Sequence, residues 1–408
     1  MLLFTLRQRI LGTLATSTLF TAACSGQTTP TTTSTASGPP SVSSASGSSS
    51  GTTAKDGSSS APAAAASCVD GHKERTCFAP ESIPTKSSGY GGRPDLDAAP
   101  PPPPTRDANG CVVLEEVMNG CCNEAISGPT LEDGKCCYEF CAGACCGRPL
   151  VIDGVARVAE PATRWDWAFA HARAEVVGPT RAALREAWTC DALLEHASIA
   201  SFATFTLELL ALGAPPDLVR GAQAAIADEI DHARLTFAIA SSHADTPIGP
   251  SALDVGGVAP QTSLAAVAAA CVRDGCVNET IASAIAGAQA KNAVDPELRA
   301  TLERIAEDES RHAELGWRFV QWALSLGKAD VREAVRAAFD APVAEAPAIP
   351  EGIDVAVWRA NGRLLPSEHA SVVRSVMEQV IAPCRDLLMF CSASPAMDDR
   401  RATISARS

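Results

Sequence analysis

Several things are scarce in this chain, and each scarcity excludes something. Past its first two dozen residues there is no charge-free apolar run of about 18 residues, so only the start of the chain can engage a bilayer through a helix. Positive charge is short: 33 Lys and Arg against 47 Asp and Glu leave a formal charge of −14. That disfavours a nucleic-acid partner, which would want a basic face. Although there are 16 cysteines, no Cys-x-x-Cys pair occurs, which removes the usual basis for a paired-cysteine zinc or iron site. Only two tyrosines occur, Tyr90 and Tyr138, and no flavin or haem signature is present. What remains is a chain of 408 residues, 46% hydrophobic, long enough for one sizeable core and smaller modules.

The beginning reads as an export signal. Arg7 and Arg9 precede an apolar run from Ile10 to Phe20, and the small residues Thr21, Ala22 and Ala23 lead to Cys24. Residues 1–23 are therefore expected to be a signal peptide. The segment resembles a bacterial lipoprotein signal, which implies lipid modification of Cys24 and a membrane partner reached through that lipid. Thr21 departs from the aliphatic residue usual at its place, and plain secretion is the alternative. By the same resemblance, Ser25 after the cysteine favours the outer membrane, with the protein periplasm-facing or at the cell surface.

Residues 24–66 are almost wholly Ser, Thr, Ala, Gly and Pro. They have too little apolar bulk to offset ordering entropy and are expected to form a disordered tether. Residues 67–148 hold ten cysteines, from Cys68 to Cys146. An even number, an oxidising compartment and weak periodicity point to a small disulfide-stapled module. The proline run Pro100 to Pro104 is a stiff spacer within it.

A strand-like piece, Leu150 to Val158, comes before the helices. A first helix is expected near Thr163 to Glu175. Long Ala-rich runs then predict helices over Thr180 to Leu212, Asp217 to His243, Ser263 to Ala293 and Pro296 to Leu326. Short Pro-containing turns join the first to the second and the third to the fourth, and a Gly/Pro-rich crossover joins the second to the third. The helical bundle is expected to occupy residues 160–327. A C-terminal helical extension, 328–408, follows, with helices at Val331 to Phe339 and Pro366 to Phe390, and Cys384 within reach of Cys391.

The chemistry sits in a pattern that occurs twice, Asp228-Glu229-Ile230-Asp231-His232 and Asp308-Glu309-Ser310-Arg311-His312. Residues three apart share a helix face, so each Glu and its His can hold one metal ion together. Bridging carboxylates between two cations are then expected from the preceding helices, at Glu195 and Glu279. Glu195 lies 18 residues before Gly213 and Glu229 lies 14 after Pro215; Glu279 lies 16 before Asp295 and Glu309 lies 14 after it. In antiparallel hairpins these acids fall at one height. A carboxylate on an apolar face is costly unless paired or metal-bound, and four at one level call for a cation.

The order Glu, Glu-x-x-His, Glu, Glu-x-x-His resembles the ferritin-like di-iron carboxylate superfamily, over residues 180 to 326. The resemblance implies a mainly α fold with a ferritin-like four-helix bundle and a long crossover between its second and third helices. Glu195, Glu229, His232, Glu279, Glu309 and His312 would be metal ligands, with Asp228 and Asp308 orienting the histidines. The cofactor would be two iron ions, or manganese, or a mixed pair. The resemblance further implies an oxidoreductase using oxygen or peroxide, with an electron donor the sequence does not name. Because neither tyrosine lies in the helices, a radical generator of the ribonucleotide reductase type is disfavoured. A cage for iron storage is disfavoured by the lipid tether. The alternative is a surface lipoprotein that sequesters metal without turnover, or a bundle whose inward charges pair with each other. His196 is expected beside the site rather than in it, and His171, His243 and His369 as structural. Cys276 is expected to be a core cysteine, and Ser198, Ala233 and Ser283 leave room for a small ligand.

Overall fold

Alanine favours helix because it loses no side-chain freedom there, and in this chain the Ala-rich runs lie between firm start and stop signals. In the computed structural model the described residues are 2–16, 72–80, 83, 103–117, 123–142, 148–152, 155–167, 175–343 and 349–391. Cys24, the tether, Tyr90 and His171 lie outside them. Among the described residues no helix is long and apolar enough to cross a membrane.

Helix α1, Leu2–Thr16, is the segment the export reading assigns to a leader. Leu6, Ile10 and Leu14 from one of its faces are buried in the main hydrophobic cluster. The Cys-rich region forms a three-stranded sheet in the order β1 (His72–Phe78), β3 (Lys135–Ala142), β2 (Asn123–Glu132). Disulfides Cys77–Cys137 and Cys111–Cys136 staple it, and the Tyr138 hydroxyl donates to the Val112 carbonyl at 2.7 Å. The strand-like piece is a small hairpin, β4 (Leu150–Ile152) with β5 (Val155–Arg157).

The helix expected over Thr163 to Glu175 does not begin at Thr163, and residues up to Trp167 are not helical. Pro161–Thr163 is strand β6, paired antiparallel with β7, Ile248–Pro250, in the long crossover. The crossover supplies hydrogen-bond partners that a helix would have had to find within itself; residues 168–174 lie outside the described residues.

Helix α2, Gly178–Ala211, stops before Gly213, whose φ of 66° suits glycine alone at no steric cost. Helix α3, Pro216–Ser242, starts on a proline and packs along α2 as a hairpin. The third expected helix is one rod of three parts. It comprises α4, Leu264–Cys271, a π-helical stretch Val272–Asn278, and α5, Glu279–Asn292. Helix α6, Pro296–Ser325, is capped by the Asp295 carboxylate, which accepts from the amides of Glu297 at 2.7 Å and Leu298 at 3.0 Å. It packs on α5 and touches α3 across the core.

The π-helical turn comes immediately before Glu279, and there the third and fourth rods meet backbone to backbone. A Cβ built on Gly316 would lie 2.8 Å from Gly275 Cα. The contact draws the two rods together one helical turn from Glu279.

Helices α7 (Ala329–Phe339), α8 (Val355–Ala360), α9 (Pro366–Val376) and α10 (Ala382–Cys391) complete the described chain, with a π turn, Met377–Ile381, between the last two. Val331, Val335, Val376 and Leu388 join the same cluster as Phe202 and Phe319, so the extension enlarges the main core. Cys384 is a free buried thiol, as are Cys271 and Cys276. The expected Cys384–Cys391 loop is therefore not formed, because Cys384 packs inward with Val380 and Leu388. Gly316→Ala should lower unfolding free energy by about 1–3 kcal/mol, the usual cost of overpacking a filled contact; urea denaturation would measure it.

Candidate metal centre

Each site residue owes its position to a helix argument. Glu229 and His232 are one turn apart on α3, as are Glu309 and His312 on α6, while Glu195 projects from α2 and Glu279 opens α5. All six converge. Glu195, Glu229, His232 and Glu309 each offer an atom to a group lying within 4.8 Å of one another, and Glu229, Glu279, Glu309 and His312 form a second such group. A third grouping, Cys77, Glu132 and Cys137, offers no thiolate because its cysteines are joined.

The two groups correct one expectation. Glu229 and Glu309 belong to both, whereas Glu195 and Glu279 belong to one each. The shared carboxylates are thus those of the Glu-x-x-His pairs. The reason is geometric: α3 and α6 face each other across the core, which brings their acids to the midline and leaves those of α2 and α5 at the flanks.

The histidines have one ring nitrogen toward the acids. His232 Nδ1 lies 3.3 Å from Glu309 and 3.7 Å from Glu195, and His312 Nδ1 lies 3.1 Å from Glu229 and 3.3 Å from Glu309. The far nitrogens meet the aspartates crosswise: His232 Nε2 is 3.0 Å from Asp308 and His312 Nε2 is 3.3 Å from Asp228. Each aspartate therefore orients the histidine of the other motif. An acceptor at Nε2 keeps the proton there and leaves the Nδ1 lone pair free for a metal. Arg311 pairs with both aspartates, at 3.2 Å to Asp228 and 2.6 Å to Asp308. Arg304 joins Asp231 at 2.6 Å.

Burial is severe. Glu229, His232, Glu279, Glu309 and His312 are each at most 3% exposed. Glu195 keeps 21% of its side chain exposed. Both Glu279 oxygens, one oxygen each of Glu229 and Glu309, and both Nδ1 atoms are buried without a hydrogen-bond partner. Unpaired buried polar atoms of this kind are costly, and a divalent cation satisfies carboxylate and imidazole together. The donor set fits the implied metal pair.

Burial raises the Glu195 carboxyl well above its usual 4.5, against the pull of His232 and with a push from Glu229. Glu279 is raised by burial and by the neighbouring Glu309. Burial would lower both imidazoles, but the acids outweigh it. Asp308, Glu195 and Glu309 hold His232 well above 6.5, and Glu309, Asp228 and Glu229 do so for His312. Burial would raise Glu309, yet His312 and His232 hold it well below 4.5. Burial likewise opposes ionisation of Asp228 and Asp308, and their histidine partners with Arg311 outweigh it, so both carboxyls fall below 3.8.

A cavity of about 110 Å³ opens beside this cluster, with Glu195, Glu309, Arg363 and His369 in its wall. Sequence reasoning missed His369, which has no carboxylate at ligand spacing, and missed Arg311, the charged residue inside the second motif. Ser198, Ala233 and Ser283 do not make the room expected of them. Ser198 donates to the carbonyls of Arg148 and Leu194, Ser283 donates to that of Ala306, and Ala233 packs with Leu193 and Phe237. His196 stands off the site, its ring edge-on to Trp167 at 5.0 Å, with burial and Arg164 bringing its pKa down to about 4. Cys276 is a core thiol.

No protein-family model, no curated protein and no solved structure matches the chain.

Without metal, the folded protein keeps protons on His232, His312, Glu195 and Glu279 that the unfolded chain releases as pH passes 4.5 and then 6.5. The folded state then binds more protons than the unfolded one, so metal-free stability should fall as pH rises from 5.5 to 8. Glu309, Asp228 and Asp308 act oppositely, at the acid end. A divalent ion displaces the retained protons, so its affinity should rise over the same interval; thermal unfolding with and without metal checks both signs. Asp308→Ala, which removes the acceptor holding His232, should weaken metal binding by about 10–100-fold. Asp231→Asn should leave it nearly unchanged, as read by chelator competition.

Proposed function

We propose that the protein holds a dinuclear metal centre, of iron, manganese or one of each, and uses it as an oxygen- or peroxide-consuming oxidoreductase. The observation that carries this reading is the pair of overlapping donor groups that share Glu229 and Glu309. Shared acids are what two adjacent cations need, because unscreened like charges repel strongly in a dry interior. The finer fold reading belongs with it. Two helical hairpins joined by the strand-strapped crossover at 243–263 fit the connectivity of a ferritin-like four-helix bundle.

When bound, such ions supply Lewis-acid and redox chemistry toward oxygen or peroxide. The chain does the rest. Glu229 and Glu309, common to both donor groups, would offset the charge of two bound ions, and Asp228 and Asp308 would hold the imidazole protons on Nε2. Burial keeps water from Glu229, Glu279 and Glu309, while Glu195 is partly exposed and lines the cavity, which gives a small reagent access. The proposal includes export and lipid anchoring through Cys24, supported by Arg7, Arg9 and the apolar run before Ala22-Ala23-Cys24. Sequestration without turnover is the second reading, favoured by the enclosure of Glu279 at 0% exposure, which would slow ion release.

Anaerobic titration with ferrous iron should saturate near about two ions per chain. Glu229→Gln or Glu309→Gln should abolish both, whereas Glu279→Gln should leave close to one. Oxygen admitted with a reductant should be consumed over many turnovers. Stoichiometric uptake alone would favour sequestration, and no tight binding at all would sink both readings.

A further inference from the structure

The cavity beside the metal cluster has a lid that the proposed reaction does not itself require. Its wall includes Trp188, Leu194, Ile285, Leu302 and Ile305, which are apolar. The C-terminal extension also contributes to this wall. The turn at 361–365 between α8 and α9 brings in Arg363, and the first turn of α9 brings in His369, whose amide donates to the Leu365 carbonyl at 2.9 Å. The turn is held firmly. Asn292 Nδ2 donates to the Arg363 carbonyl at 3.3 Å, Trp358 Nε1 to the Leu364 carbonyl at 3.1 Å, and the Leu365 amide to Glu368 at 2.9 Å.

The charges in the lid cancel. Arg363 is ion-paired with Asp191, and its guanidinium lies over the Trp188 ring at 4.6 Å. Among the described residues of the turn and of the start of α9, Arg363 and Glu368 are both ion-paired, so neither is left to attract an ionic ligand. His369 is different: it is only 8% exposed, and neither ring nitrogen has a hydrogen-bond partner. Buried polar groups are normally satisfied, so a bare imidazole in a cavity wall is suited to a hydrogen-bonding partner inside that cavity. Burial, with Arg363 nearby, lowers its pKa and keeps the ring neutral. A neutral imidazole presents one donor and one acceptor.

We propose that this cavity binds a small neutral organic molecule, apolar in body and carrying one hydrogen-bonding group, which His369 grips while the body lies against Leu302 and Ile305. The volume, about 110 Å³, is somewhat below the roughly 150 Å³ of a dry cavity known to accept benzene, so the ligand is of five-membered-ring size. Glu195 and Glu309 form the neighbouring wall, so such a molecule stands next to the metal cluster. The inference thereby names a substrate class for the oxidoreductase reading and rests on that reading only for what happens after binding.

The test therefore uses the full chain without metal, so its failure is separable from failure of the metal site. Pyrazole, with a donor and an acceptor, and thiophene, a ring of similar size with neither, are titrated by ligand-observed NMR. Pyrazole should bind about tenfold more tightly, the factor expected of one net hydrogen bond. His369→Phe should erase the difference. In the wild-type protein, pyrazole and not thiophene should shift the His369 ring resonances, a readout that needs no substitution. Equal binding of the two rings, a preference that survives His369→Phe, or no shift at His369 would overturn the proposal.

Discussion

Like charges buried together in an apolar interior must be balanced, and the rest of this structure follows from that constraint. Four carboxylates and two imidazoles occupy one layer between the helices. Helix alone can put them there, because its backbone groups are satisfied internally and every side chain at the layer is free for the site. Alanine-rich sequence lets the rods lie close, and the Gly275–Gly316 contact brings two of them together at the backbone. In the absence of a cation, protons held on histidine and glutamate take up part of the load.

The crossed aspartates show how the layer is kept in register. A histidine on α3 is steadied by an aspartate on α6, and the reverse, with Arg311 touching both aspartates. Neither Asp-Glu-x-x-His copy is complete alone. Sliding one helix by a turn would strip both imidazoles of their partners at once, so the hydrogen bonds that tune the ligands also fix the mutual height of the helices.

Much of this was legible beforehand, for identifiable reasons. Three-residue spacing places Glu229 with His232, and counting from Gly213 and Asp295 levels Glu195 and Glu279 with them, because helical rise is constant. Which acids lie at the midline was not legible. That depends on which helices face each other, a tertiary fact with no local signature. The strand at 161–163 was missed because its partner is nearly ninety residues away in the crossover. His369 was passed over for a related reason, since its neighbours at the cavity come from α2, α3, α5 and α6 and not from its own helix.

The seating of α1 bears on timing. Leu6, Ile10 and Leu14 lie against the core, Arg9 is held by Glu307, and Gln321 bonds to the Leu14 carbonyl at 2.9 Å. If these residues serve as an address for secretion, the address can be read only while the chain is unfolded. Folding inside the cell would conceal it. Transport would then have to come first, and any metal held by the acids and histidines of these four helices would be drawn from whatever ions the destination supplies.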